Sequence, residues 1–236
     1  MKKIGLVFNG VWSHYAMATA PKYRDFYELV YIHDLTFGAL RHLGALVIPF
    51  QSHQAELARR KEHLYQFLAE GGKIAVFGDS TPLWLEAQWE DRPVDNFWWV
   101  TDPSKPPVSH TDHHHPVYAG LAPRHACWHI HGVYTRIPAE AEIIQKNGDG
   151  EVITWQTRQY GGVLFGSTLD PVVEHGVQQI RHLDHYVDSL TAWLCGVRPE
   201  GAFSLDPAVY GVDRMDCMDD GGGVKKEEPC PKTAAS

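Results

Sequence analysis

The sequence predicts an α/β protein built on a mostly parallel sheet, with additional antiparallel strands in its second half. Three observations carry that expectation. Apolar runs of strand length alternate with helical segments up to about residue 90, the order that gives a parallel sheet covered on both faces and joined by right-handed crossovers. Beyond that point short strand-like runs follow one another, and Asn147-Gly148-Asp149-Gly150 reads as a hairpin turn. Between the two halves stands Gly71-Gly72-Lys73-Ile74-Ala75-Val76-Phe77-Gly78-Asp79-Ser80-Thr81-Pro82, a helix end, a buried strand and a tight turn in one stretch.

Lys3 to Phe8 reads as the first strand, broken by Asn9-Gly10, and the aromatic-rich segment to Phe26 contains a helix from Tyr15 onward. Glu28 to His33 is a second strand. Asp34 is placed to cap a helix from Leu35 to Leu43, closed by a left-handed Gly44. Ala45 to Phe50 is a third strand whose proline sits at its end, where the missing donor matters least. From Ala55 to Glu70, Leu57, Leu64, Phe67 and Leu68 fall on one helical face. Lys73 to Phe77 is the fourth strand, and Pro82 is expected to open a helix through about Glu90, because the first helical position needs no donor. Asn96 to Val100, Cys127 to Tyr134, Ala141 to Lys146, Glu151 to Gln159 and Gly162 to Ser167 read as strands, and Val177 to Leu194 as the closing helix. Periodicity ends after Pro199, so the expected organisation is one domain over 1–198 and an extended or disordered tail over 199–236.

Composition narrows the function classes. The chain of 236 residues is long enough for a sizeable core, and 44% apolar with 21% charged residues is the balance of a globular protein. A net charge of -8 argues against nucleic acid as a partner, since no basic surface is available to release counterions from phosphates. Two lysines precede an apolar run at the amino end, but Asn9-Gly10 interrupts it too early for a signal peptide, and no stretch reaches the roughly 18 apolar residues of a membrane span. The expectation is a cytoplasmic protein with no membrane partner. The four cysteines, Cys127, Cys195, Cys217 and Cys230, have neither the density of a disulfide scaffold nor C-x-x-C spacing.

Four stretches carry a family likeness: Ala45 to Phe50, a strand closing on proline; Phe67 to Gly78, with its Gly71-Gly72 before the strand; His115-Pro116-Val117-Tyr118-Ala119-Gly120-Leu121; and the glycine-led late strand from Gly161 to Pro171. In this order the chain resembles the class I glutamine amidotransferase-like superfamily, in particular its trehalose-utilisation-like branch and the trimerisation domain of some β-galactosidases. The resemblance implies a flavodoxin-like three-layer sandwich and, through the trimerisation domains, a homo-oligomer. It also marks a departure: a glutaminase of that superfamily has its cysteine at the turn after the central strand, where this chain has Gly78-Asp79-Ser80. Glutamine hydrolysis by a thiolate is therefore not expected.

Two chemistries compete at that turn. Gly78-x-Ser80-x-Pro82 differs from the G-x-S-x-G nucleophile elbow only in its last residue, and serine peptidases similar to this superfamily place a serine there. His175, just beyond the late strand, is then the candidate base, with Glu174 or Asp170 to orient it. The plainer reading makes Asp79, Ser80 and Thr81 helix-capping residues. The GDSL-esterase likeness of Phe77-Gly78-Asp79-Ser80 is set aside, since that block follows a first strand and needs a D-x-x-H near the carboxyl end. Asn9, Trp12 and His14 share the sheet edge with Gly78, Asp79 and Asp170 and are candidate ligand contacts. A metal-dependent hydrolase is the alternative, with His110, Asp112, His129 and His131 supplying imidazoles and a carboxylate to a divalent ion. The leading expectation needs no cofactor: a small polar ligand, sugar-like or amide-bearing, bound at the Ser80 edge and open to hydrolysis by Ser80 and His175. A non-catalytic binding or oligomerisation module is the other alternative.

Overall fold

The computed structural model describes residues 2–178 and 183–196. Ten strands form one sheet: β1 (Ile4–Phe8), β2 (Tyr27–Tyr31), β3 (Ala45–Ile48), β4 (Lys73–Phe77), β5 (Gln88–Glu90), β6 (Val108–Thr111), β7 (Val133–Arg136), β8 (Glu142–Asn147), β9 (Val152–Thr157) and β10 (Val163–Ser167). The helices are α1 (Trp12–Thr19), α2 (Phe37–Leu40), α3 (Gln54–Arg59), α4 (Lys61–Ala69), α5 (Trp98–Thr101), α6 (Pro171–Gln178) and α7 (Asp184–Cys195). The order is β2-β1-β3-β4-β10-β9-β7-β5, with β8 joining β9 to β6. The pairs from β2 to β10 are parallel, and every pair beyond β10 is antiparallel. The α/β sandwich expected from the sequence is the one observed.

The central strands read as unbroken apolar runs because both faces are covered. Ile4, Leu6, Ala45, Val47, Ala75, Phe77 and Phe165 face a core shared with Met17 of α1, Val172 of α6 and Val187 and Leu190 of α7. Val7, Leu46, Ile48, Ile74, Val76 and Leu164 face the other core, with Leu40, Leu57, Leu64 and Phe67 from α2, α3 and α4. Successive side chains of one strand thus alternate between two hydrophobic layers.

Several elements differ from their sequence expectation. No helix follows Pro82: one turn closes on Thr81 O, which accepts from Trp84 N and Leu85 N, and the chain then extends into β5. The buried residues Trp84, Leu85 and Ala87 do not share a helical face, and β5 instead pairs with β7. Thr36, not Asp34, caps α2 through Ala39 N at 3.3 Å, and Gly44 is not left-handed; its N–H donates to Lys3 O. The helix expected over 55–70 is broken at Arg60 into α3 and α4. The strand expected at Asn96 to Val100 is α5, and the one expected from Cys127 begins only at Val133. The closing helix is α6 followed by α7, with part of its expected span, and the boundary near 198 with the tail over 199–236, outside the described residues. Among the described residues no helix is long and apolar enough to cross a membrane.

Helices α1 and α6 approach closely where Gly176 lies against the Ser13 carbonyl, and a Cβ would overlap it. Gly176→Ala should therefore destabilise the fold by about 1–3 kcal/mol, because the obstruction is backbone that cannot rotate away. Gly148→Ala, whose nearest atom would be 4.0 Å away, serves as the control. Urea unfolding midpoints should separate the two variants clearly.

Candidate functional site

In a parallel sheet the loops leaving the carboxyl ends of the strands converge on one edge. Here β1 delivers Asn9, β3 delivers Phe50 and Gln51, β4 delivers Gly78, Asp79 and Ser80, and β10 delivers Thr168 and Asp170. Gly78 is left-handed, at φ 75°, and a Cβ there would collide with the Phe50 ring, so the turn requires glycine on both counts. Phe50 in turn stacks on His131, ring centroids 4.2 Å apart. The packing of one glycine thus places the turn of β4 beside the imidazole of a distant loop.

His131 Nε2 lies 2.9 Å from Asp170 Oδ2, and its carbonyl accepts from Trp89 Nε1 at 2.5 Å. Asp170 is 2% exposed. Burial raises its carboxyl above the usual carboxylate range, His131 and His129 work against that, and Glu174 adds to it. Burial also raises Asp79, and His131 opposes the shift. His131 thus lies within hydrogen-bond distance of one partly desolvated carboxylate, Asp170, and acts electrostatically on a second, Asp79. Next to it His129 Nδ1 lies 3.6 Å from Glu174 Oε1, and the rings of His129 and His131 are 6.3 Å apart.

Ser80 is 6% exposed, and its Oγ has no hydrogen-bond partner. Its polar neighbour is the phenol of Tyr134, which burial pushes up, without a hydrogen bond of good geometry between them. Asn9 Nδ2 donates to Gln51 O at 3.1 Å, and Asn9 Oδ1 is unpartnered. Gln51 holds a left-handed backbone at φ 67°, a conformation that costs a side-chain-bearing residue about 1–2 kcal/mol. His14 is buried, with Nε2 2.9 Å from Phe50 O, and burial lowers its pKa. Trp12 is 69% exposed and stacks on Tyr15 at 5.4 Å.

The structure does not bring Ser80 and His175 together. His175 Nε2 is 2.6 Å from Asp184 Oδ1, and its ring packs edge-on against Tyr23. Lys22 Nζ joins the same group, 3.4 Å from Asp184 and 2.6 Å from Asp188. Glu174 faces His129 rather than His175, and Asp170 faces His131. The helix expected after Pro82 is also absent beside Ser80. The residues of the metal alternative are spread over several segments. His110 is exposed on β6, which pairs with β8, and Asp112 accepts from His114 N at 2.9 Å, while His129 and His131 precede β7. Among the described residues no group of three or more His, Cys, Asp or Glu side chains is arranged to hold a metal ion.

Sequence reasoning missed the pairing of His131 with Asp170 and the parts played by Phe50, Gln51 and Tyr134. The available signal was the His129-Ile130-His131 run, which crosses the end of β10 through an Ile130–Leu169 bridge instead of running along a strand.

No family model and no curated protein matches the sequence. Among solved structures, a GMP synthase-like protein from Thermoplasma acidophilum superposes with a TM-score of 0.55 at 13% identity, covering 83% of this chain and 95% of that one. A cytoplasmic protein of Salmonella typhimurium LT2 gives 0.54 at 12% identity over 84% and 100% of the two chains. Another from Salmonella typhimurium gives 0.51 at 12% identity over 84% and 99%. The chain shares the fold of these three proteins. Neither described thiol stands at the turn after β4: Cys127 is fully enclosed, with burial raising its pKa, and Cys195 ends α7.

The electrostatics of Asp79 make a stability prediction. Because burial raises its folded pKa, the folded state keeps a proton that the unfolded chain has released above about pH 4, and this carboxylate lowers stability as pH rises through that window. Asp79→Asn should accordingly raise Tm at pH 7 relative to wild type, with the difference shrinking toward pH 4. Calorimetric scans across that range measure it.

Proposed function

We propose that this protein is a glutamine amidotransferase-like domain without the nucleophilic cysteine, which binds a small polar ligand, sugar-like or amide-bearing, at the carboxyl edge of its parallel strands. One observation carries the reading. Asn9 Oδ1, Ser80 Oγ, His129 Nε2, Thr168 Oγ1 and Asp170 Oδ1 are all buried without a hydrogen-bond partner, and all belong to this edge. Leaving such a group unpaired costs about 1–3 kcal/mol, which a ligand with matching donors and acceptors would recover. The left-handed Gln51 and the glycine-locked turn at Gly78 support it, since strained backbone is concentrated at functional sites.

Ligand-observed NMR with a set of monosaccharides and primary amides tests the reading. We expect binding to wild type and its loss in Asn9→Ala and Thr168→Val, and an inert wild type would overturn the proposal.

Hydrolysis is a separate step. It needs a base for Ser80, and His175 is engaged by Asp184. A serine-reactive fluorophosphonate distinguishes binding from turnover: binding alone predicts no label at residue 80, whereas labelling abolished by Ser80→Ala would make the protein a serine hydrolase.

Self-association is the second part of the proposal. Leu83, Phe97 and Val100, large apolar side chains that contact with a second copy could cover, are 68%, 69% and 59% exposed. Sedimentation velocity should find an oligomer, and Phe97→Asp should shift it toward monomer.

A further inference from the structure

The charges at the sheet edge narrow the ligand further. We infer that the site selects a cationic small molecule, one bearing an organic ammonium group, which the buried carboxylate of Asp170 would hold, with Asp79 on the neighbouring strand end as its second anionic partner. The inference rests on the binding site proposed above and names the class of its ligand.

The charge count comes first. Asp79, Asp170 and Glu174 are the carboxylates of the strand-end loops and His129 and His131 their imidazoles, so acidic groups outnumber basic ones there. The neighbouring charges that act on the two aspartates are His131 on both and His129 and Glu174 on Asp170, and the latter two already face one another. No lysine or arginine lies in the strand-end segments 9–12, 50–52, 78–81, 129–131 and 168–174. A phosphate or carboxylate would therefore enter beside carboxylates with no permanently charged cation to receive it.

The hydrogen-bonding state of Asp170 points the same way. Its Oδ2 is taken by His131, but Oδ1 is buried with no partner on a side chain 2% exposed. An ammonium N–H is the donor that a buried carboxylate oxygen binds most strongly, because it supplies charge together with the hydrogen bond. It would also return the countercharge that burial withholds from both aspartates. Ser80 Oγ, Thr168 Oγ1 and Asn9 Oδ1, unpartnered at the same edge, suit hydroxyl or amide groups on the rest of the molecule. A bare metal cation fits less well, since no three ligating side chains converge among the described residues.

Two matched probe series separate charge from shape: glucosamine, glucose and glucuronate, and glycinamide, acetamide and oxamate. Isothermal titration calorimetry on the full chain should find the cationic member of at least one series binding about tenfold or more tightly than its neutral analogue, with the anion not binding. Asp79→Asn and Asp170→Asn, each checked for folding by circular dichroism, should abolish that preference. Neutral or anionic members binding as well as the cation would overturn this inference while leaving the binding site standing. A cation preference that survives both substitutions would overturn it as well. Failure of all six probes to bind would overturn the inference and the proposed function together.

Discussion

The constraint on which the rest of the structure depends is the burial of four adjacent parallel strands on both faces. In β1, β3, β4 and β10 successive side chains enter two different cores, so none of the four has a face that tolerates polarity. Polar chemistry is thereby pushed to the strand ends, where backbone and side chains leave the hydrophobic layers together. Asn9, Asp79, Ser80, Thr168 and Asp170 are each within three residues of the last residue of such a strand. The edge is a consequence of the core, and a residue set displaced by one position along any strand would be buried in it.

The edge is closed by a chain of contacts that is mainly aromatic. Gly78 admits Phe50, Phe50 stacks on His131, and Trp89 holds the His131 carbonyl. This chain explains why Asp79 and Asp170, from neighbouring strands, both feel one imidazole from a loop more than thirty residues from either. It also explains why their desolvation is tolerated. A lone buried carboxylate is strongly destabilising, but one that shares an imidazole has a partner, and a cationic ligand would complete the neutralisation.

Much of the fold was legible from residues alone. The runs at Ala45 to Ile48 and Lys73 to Phe77, the helix end at Gly71-Gly72 and the turn at Asn147-Gly148-Asp149-Gly150 each carry a local signal strong enough to place them. The segment after Pro82 carried a misleading one. Proline and a run of capping residues are good helix openers, but Trp84, Leu85 and Ala87 had a deeper place to go, and Trp84 Nε1 found Gln54 Oε1 at 2.8 Å. Burial of one tryptophan outweighs a helix propensity summed over a few residues. The members of the site were legible for the same reason as the strands, since their position depends on strand ends. Their partners were not, because which carboxylate meets which imidazole depends on side-chain directions across loops that share no register.

His175 shows where topology stops being informative. Its place one turn into α6, after the late strand, is right for a base serving the β4 turn, and Glu174 and Asp170 stand beside it in sequence. Yet on a helix neighbouring residues point in different directions, about 100° apart for each step. Glu174 therefore turns to the edge and His129, while His175 turns inward to Asp184, where Lys22, Asp188 and Tyr23 complete a buried polar cluster. There burial acts to raise Asp184, but His175 and Lys22 outweigh it and bring the carboxyl below its usual range. Asp184 therefore contributes stability above the ordinary carboxylate pKa that is lost as acid protonates it, while Asp188, raised by burial, acts in the opposite sense. Its three members from different segments, Lys22 after α1, His175 in α6 and Asp184 in α7, can satisfy one another only when those segments are docked. The histidine that sequence order offers to catalysis thus holds the helical layer behind the site. The imidazoles at the edge are instead those of His129 and His131, from the segment before β7.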